Sequence, residues 1–377
     1  MCEHTFDIIV LNREQTFVFV RGSGVSVFGI HMKKAHLEKD VKQFQQRFAT
    51  EAACMRALMA ARWPDGFCCP RCRGRRAYPI PSRRLFQCAA CKYQASLTAG
   101  TVFENTRTPL TKWFLAMFLI SRWEGITAVE LRRWIGVTYK TAWSMLSKLR
   151  YAMSRKCSRT LLDGIVRLKT VTYTLNLPWS PTRAYSSVIG ASLNEQGEPV
   201  RIHIERLPDS KPHAQHGEMY SLPELRQAIA SFQQRHVSPD AEDVQVSIKP
   251  FEKPRFHVLR LVAHSAARWV QETFHGIAGK HLQAYLHEYC YRFNHQPENS
   301  IEIGWKCTVK DGNDTDQHGN RAVEEGNRPE RHGNRTVEHG TRAVFDALLR
   351  LCVTLSPLTY ADIVSGRAKL VSQAAVH

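Results

Sequence analysis

The chain has 377 residues, enough for two or three domains with a sizeable core. Its 52 Lys and Arg against 34 Asp and Glu give a formal net charge of +18, which points to a polyanionic partner, either nucleic acid or an acidic membrane surface. No apolar run reaches the roughly 18 residues of a membrane span, and the start, Met1-Cys-Glu-His-Thr-Phe-Asp, lacks the basic opening of a signal peptide.

Residues 1–31 read as an N-terminal extension. Ile8-Ile-Val-Leu11 and Phe17-Val-Phe-Val20 have β-propensity and lead into Arg21-Gly-Ser-Gly24. Met32 is an alternative start. A helical lead-in, 32–63, should hold two short helices, the second capped by Thr50, carrying Met55, Leu58 and Met59 at helical spacing and ending at Trp63-Pro64.

Residues 64–95 contain Cys69-Pro-Arg-Cys72 and Cys88-Ala-Ala-Cys91, with fifteen residues between the pairs. That is the ligand spacing of a closed, structural four-cysteine Zn²⁺ site. A pair of disulfides and chance spacing are the alternatives. Cys2, Cys54, Cys68, Cys157, Cys290, Cys307 and Cys352 follow no pattern, and scattered thiols beside a zinc site suggest a reducing cytosol. Between Cys69 and Lys92 lie Arg71, Arg73, Arg75, Arg76, Arg83, Arg84 and Lys92 and no acid, a balance that suits phosphate binding better than an ordinary solvated face.

Residues 105–156 read as a helix-turn-helix region. Thr108-Pro109 should cap a helix made apolar on most sides by Trp113, Phe114, Met117, Phe118 and Ile120, broken at Gly125. A short helix, Thr127 to Ile135, a turn at Gly136-Val137 and a third helix capped by Thr138 follow. On that third helix Ala142, Leu146, Leu149 and Met153 share one face. Lys140, Thr141, Ser144, Lys148, Tyr151 and Arg155 offer a basic, hydrogen-bonding surface suited to a major groove. A plain helical bundle with a solvated face is the competing reading.

Residues 160–306 change to mixed α/β. Strands are expected over Gly164–Leu175, Ser186–Ala191, Pro199–Ile204 and Asp243–Ile248, with a turn at Asn194-Glu-Gln-Gly197. Helices are expected over Leu222–Phe232, 256–271 and 279–292. From Gly312 a seven-residue unit recurs at Gly319, Gly326, Gly333 and Gly340. Without apolar a and d positions and with a glycine every second turn it does not read as a coiled coil, so 307–342 is expected to be a disordered insertion before a C-terminal helix and tail, 343–377.

Taken together, Arg62-Trp-Pro-Asp-Gly-Phe67, Thr98-Ala-Gly-Thr-Val-Phe103, Pro109-Leu-Thr-Lys-Trp113, Tyr139-Lys-Thr-Ala-Trp143, Phe274-His-Gly-Ile277, His281-Leu-Gln-Ala-Tyr-Leu286 and Tyr291-Arg-Phe-Asn294 resemble bacterial insertion-sequence transposases of the ISXO-type group. These have an N-terminal zinc ribbon and an RNase-H-like DDE domain. The resemblance is dense over 32–155 and 256–295 and thin between. It implies a cytoplasmic, nucleoid-associated bacterial protein that binds double-stranded DNA at the terminal repeats of its element, as a homo-oligomer. It also implies cutting and rejoining by two Mg²⁺ ions held on carboxylates, hard oxygen ligands suited to in-line phosphoryl displacement.

The acids that this chemistry needs are missing where the resemblance puts them. Lys169 stands in the place of the first Asp and Arg167 in that of a Glu; an ammonium repels Mg²⁺. Asp163, six residues back along a strand, lies about 20 Å off. The second position, within Val244–Lys249, has no Asp, Asp240 and Asp243 lying upstream, and His264-Ser-Ala-Ala-Arg-Trp269 offers no acid for the third. Glu272 and Glu288 are the nearest carboxylates there and are expected on solvated helix faces. The chain thus reads either as a transposase or as a catalytically dead DNA-binding relative able to act as a repressor. A zinc-ribbon protein of the RNA or transcription machinery would leave the motifs of 256–295 unexplained.

Overall fold

The fold was obtained as a computed structural model, in which the described residues are 20–21, 24–25, 30–80, 83, 85–177, 180–208, 220–248, 256–275, 277, 279–296, 333–359 and 362. The strand expected at Ile8–Leu11, nearly all of the one expected at Phe17–Val20, Arg84, most of the repeat and the tail after 362 lie outside them. Val20–Arg21 (β1) pairs with Gly24–Val25 (β2).

A helical body forms first along the chain. Helix α1 (Ile30–Arg47) begins two residues before Met32, so the boundary expected at 31/32 falls inside it. Helix α2 (Glu51–Arg62) is capped by the Thr50 hydroxyl, which accepts the Ala53 N–H at 3.2 Å, and ends at Trp63. Helix α3 (Leu110–Ser121) is buried along almost its whole length, as its apolar run from Trp113 to Ile120 requires. Its cap differs from expectation. Pro109, not Thr108, is the N-cap, and without a capping side chain of its own the helix receives one from α2: Glu51 Oε1 accepts the Thr111 N–H at 3.0 Å.

Helices α4 (Ala128–Ile135) and α5 (Tyr139–Cys157) follow. Thr127 and Glu130 make a reciprocal capping box at the start of α4, and Gly136 ends it in the left-handed conformation (φ 58°) that glycine adopts without strain. Lys112 Nζ donates to the Gly136 carbonyl at 2.9 Å and ties the turn to α3. Thr138 caps α5 through the Thr141 N–H.

The sheet has strands in the order β8-β7-β6-β9, where β6 is Ile165–Leu177, β7 Ser180–Leu193, β8 Pro199–Arg206 and β9 Asp243–Ser247. The first three form an antiparallel meander. The chain then crosses through α6 (Leu222–His236) and returns as β9, parallel to β6. Alternation along β6 sends Val166 and Leu168 into a core with Ile229 and Phe232 of α6. Arg167, Lys169 and Val171 take the opposite face, where Val171, Ile189 and Ala191 share a core with Leu259 and Val262 of helix α7 (His257–Phe274). Gly190 makes room for the core beneath the sheet: a Cβ there would stand 2.6 Å from Leu162 Cδ1 and 2.8 Å from Leu168 Cδ2 and force those side chains to shift.

Helix α8 (Gly279–Asn294) lies along the edge strand β8 and satisfies its outward backbone groups. Gln283 accepts the Arg206 N–H (2.7 Å) and donates to the Ile204 carbonyl (2.9 Å); Asn294 does the same for Ile202, at 2.8 and 2.9 Å. The two carboxamides act as a fifth strand would, which removes an edge open to pairing.

The last helix, α9 (Gly333–Thr354), corrects the reading of the repeat as disordered up to 342. Its final two copies, Gly333–His339 and Gly340–Asp346, are helical. The physical reason is burial: Gly340, Thr341, Val344, Phe345 and Leu348 are enclosed, and Phe345 meets Phe44 (5.2 Å between ring centres), Phe48 and Phe114. Packing overrides the poor helix propensity of glycine. The C-terminal helix thereby completes the core of the N-terminal helices.

Candidate metal centre and nucleic-acid face

Strands β3 (Ala77–Ile80), β4 (Leu85–Cys88) and β5 (Gln94–Ser96) form a three-stranded antiparallel ribbon. Two knuckles flank it and repeat each other bond for bond. The Arg73 N–H donates to the Cys69 carbonyl and the Lys92 N–H to that of Cys88. The Cys69 N–H donates to Gly74 and the Cys88 N–H to Tyr93. Arg73 and Lys92 both sit at φ 60°, a left-handed conformation uncommon for side chains of this size and imposed by the tight turn after each second cysteine.

The four sulfurs converge. Cys69 and Cys91 Sγ are 3.7 Å apart, Cys72 and Cys88 Sγ 3.6 Å, and all four lie within 4.8 Å of one another. Zn–S bonds of about 2.3 Å in a tetrahedron demand S···S separations of about 3.8 Å. The residues therefore fit Zn²⁺, and thiolate ligands in this number leave it no open position. Gly74 completes the cradle, since a Cβ there would come within 3.2 Å of Cys88 Sγ. The thiols share protons among themselves: the backbone N–H groups of Cys91 and Ala90 bring Cys88 down to about 6, whereas Cys72, despite the Gly74 N–H, is pushed up to about 12 by its contacts with the other three sulfurs. Among the described residues no other group of three or more His, Cys, Asp or Glu side chains is close enough to share an ion.

Around this centre Arg71, Arg73, Arg75, Arg76 and Lys92 are all exposed, as is Arg83 in the β3–β4 turn at the far end of the strands. The sheet itself is two-faced. Ala77, Phe86, Cys88 and Ala95 turn inward against Trp63 and Phe67. The cross-strand row Tyr78–Gln87–Gln94 occupies the other face, with Tyr78 64% exposed. Sequence reasoning counted the arginines and passed over this row; the alternation of β3 was the available signal.

On α5 the expected DNA-contacting residues separate. Lys140 is exposed at the first turn, whereas Thr141, Ser144, Lys148, Tyr151 and Arg155 are half-buried. Beyond its first turns α5 is enclosed by α8 and α9 as well as by α3 and α4. Burial lowers the pKa of the Lys148 ammonium, and Glu104 opposes that shift. The exposed basic and aromatic groups here gather at the α4–α5 turn: Arg132, Arg133, Tyr139 (50% exposed) and Lys140. Their position beside Gly136 could have singled out Arg132, Arg133 and Tyr139 in advance.

At the sheet, the register places Lys169, in the interior of β6, beside Ser247, the last residue of the parallel strand β9. Lys169 is buried, 4% exposed. Arg167, next on that face, pairs with Asp243 (2.9 Å), whose carboxylate also accepts both contacts of the Gln245 amide. Asp163 faces Arg201 at 3.0 Å, and Asp240 is exposed.

Glu272 is exposed, as expected, but the expectation for Glu288 is overturned. It is fully buried, held by Arg150 Nε at 2.6 Å and Arg292 Nη1 at 3.5 Å. The guanidiniums stack on aromatic rings, Arg292 over Trp269 (4.2 Å) and Arg150 over Tyr285 (4.1 Å). The reason is position: Glu288 lies on the face of α8 that packs on α5, so this triad joins the two. Three histidines missed by sequence reasoning meet nearby. His203 stacks on His236 at 3.9 Å and lies 5.7 Å from His287. Burial pushes His203 well down and His287 to about 4.

With this geometry in hand, the likenesses to other proteins can be placed. Residues 49–94 match the family model described as the transposase zinc-ribbon domain of the IS1595 type, the segment that holds α2 and the ribbon with all four cysteines. Over 125 residues the chain is 32% identical to an uncharacterized protein in transposable element ISH50 of Halobacterium salinarum. That match spans 32% of this chain and 41% of the other. No solved structure matches. The chain is thus transposase-like and multidomain, with a zinc-ribbon region, helices and a mixed sheet. Among the described residues no helix is long and apolar enough to cross a membrane.

Proposed function

We propose that this protein binds double-stranded DNA at the ends of an insertion element, through its zinc ribbon and the α4–α5 turn acting as a helix-turn-helix. The observation that carries the reading is the ribbon: a four-cysteine centre holding six exposed cations and no acid between Cys69 and Lys92. Each phosphate that such a surface neutralises releases a counterion, so affinity falls steeply with salt. Arg132, Arg133 and Lys140 add a second cationic group on the helical body, beside the backbone N–H groups that open α5.

The α/β part supports an RNase-H-like ancestry by its strand order, an antiparallel meander followed by a parallel strand on the far side of the first. We read it as no longer competent for metal-dependent cleavage. Lys169 and Ser247 stand side by side, on the two strands to which the resemblance assigns the metal-binding carboxylates, and Asp243 is engaged by Arg167. An occluding DNA-end binder, or a repressor of its own element, follows from this.

The test is an equilibrium titration of the zinc-loaded chain against a labelled duplex carrying the terminal repeat that flanks its gene, repeated over a range of salt. The expected result is a log–log slope of several counterions. Absent binding, or binding indifferent to salt, would refute the reading.

A further inference from the structure

The ribbon separates its charges from its uncharged polar groups. Arg71, Arg73, Arg75, Arg76 and Lys92 belong to the knuckles, at the zinc end of the strands, and Arg83 belongs to the β3–β4 turn at the other end. Between them the outward face carries the row Tyr78–Gln87–Gln94, with Tyr78 and Gln94 exposed and Gln87 half-buried between them, followed by the half-buried Ile80–Leu85–Ser96. Gln94 is steadied by Arg83, whose Nη1 approaches its Oε1 at 3.5 Å. The opposite face is sealed against Trp63 and Phe67, so only this one is free to meet a ligand. The neighbouring strands β4 and β5, about 5 Å apart, carry Gln87 and Gln94 side by side, and a two-stranded ribbon of this kind enters the ~12 Å major groove of B-DNA.

Resting on the DNA-binding reading above, we infer that this open face reads A·T base pairs in the major groove, with Gln87 and Gln94 as specificity-determining residues and Tyr78 as their apolar partner. A glutamine carboxamide offers one donor and one acceptor side by side, matching adenine N7 and N6–H₂. The exposed Tyr78 ring, opposite Gln87, suits the thymine methyl group. The arginines at the two ends of the strands then have a separate task. They grip phosphates on either side and fix the register without reading sequence. Charge complementarity selects nucleic acid as the occupant, since the described charges at both ends of the strands, five at the zinc end and Arg83 at the other, are all cationic. The paired carboxamides select base edges over backbone alone.

The experiment is selection of preferred sequences from a randomised duplex pool by the full, zinc-loaded chain, followed by affinity measurements on the selected duplex and on a scrambled one. Q87A/Q94A should keep its zinc, its affinity for scrambled duplex and its salt slope. Its preference for the selected duplex should fall by tenfold or more, since each bidentate contact carries roughly 5- to 150-fold discrimination. Replacing the selected adenines by 7-deazaadenine, which lacks N7, should reproduce that fall in the wild type and add little in Q87A/Q94A. An unchanged preference in Q87A/Q94A overturns the inference. So does a wild type that prefers single strands and loses that preference in Y78A, which would mean base stacking instead. A wild type that binds no duplex at all overturns the proposed function itself, and this inference with it.

Discussion

Arginines do opposite work in two regions of this molecule. On the ribbon, Arg71, Arg73, Arg75 and Arg76 around the four-cysteine centre and Arg83 at the far turn stand in solvent, with no carboxylate between Cys69 and Lys92. In the core, Arg150 and Arg292 are buried on Glu288 and flattened onto Tyr285 and Trp269, and Arg167 is held by Asp243. A guanidinium left in water by its own protein is available to a phosphate. One that is desolvated and paired is committed to the fold, and removing its partner leaves a costly charge. The excess of +18 says nothing of this division; the burial of each side chain does.

The comparison is broken most severely at the metal. C72S should abolish stoichiometric zinc binding and unfold the ribbon, because structural zinc sites carry about 10–16 kcal/mol of apparent binding free energy that doubles as folding energy. Zinc content by atomic emission, with DNA binding beside it, checks this; retained zinc and retained binding would contradict it. Next is E288A, which leaves Arg150 and Arg292 buried without a counter-charge. It should cost about 3–5 kcal/mol in urea unfolding, while E272A on an exposed surface should stay within about 0.5 kcal/mol.

A gentler probe of the core is pH. Burial lowers the folded-state pKa of His287 from 6.5 to about 4, and His203 shifts in the same direction. The unfolded chain therefore binds more protons in that window, and stability should decline as pH falls from about 6.5 towards 4. The urea midpoint measured against pH reads this, and H287Q should flatten the curve. The smallest effects belong to single surface cations. R73A or K140A should reduce the salt slope of DNA binding by about one. K148A, half-buried beside Glu104, should change it less; an equal loss would return that side chain to the interface.

How much of this was legible beforehand depended on whether the signal was local. Cysteine spacing gave the metal ligands, and caps at Thr50, Thr127, Thr138 and Gly136 gave helix ends, because each rests on a few neighbouring residues. Pro109 starts its helix with help from Glu51, which is distant in sequence, and no local pattern announces that. The final repeats looked disordered because glycines dominate their composition; Phe44, Phe48 and Phe114, far earlier in the chain, supply the burial that orders them. Glu288 followed the general habit of helical glutamates until α5 was laid against α8. The hydrogen-bonding face drawn on α5 failed to anticipate its enclosure for the same reason, and only Lys140 of that set is exposed.

One measurement bears most directly on the proposed division between a ribbon that holds DNA and a sheet without the acids for cleavage. A strand-labelled duplex carrying the terminal repeat is incubated with the zinc-loaded chain and Mg²⁺. The mixture is then divided between a native gel and a denaturing one. The account predicts a retarded complex on the first and uncut strands on the second. Strands nicked at the repeat boundary in an Mg²⁺-dependent manner would contradict it.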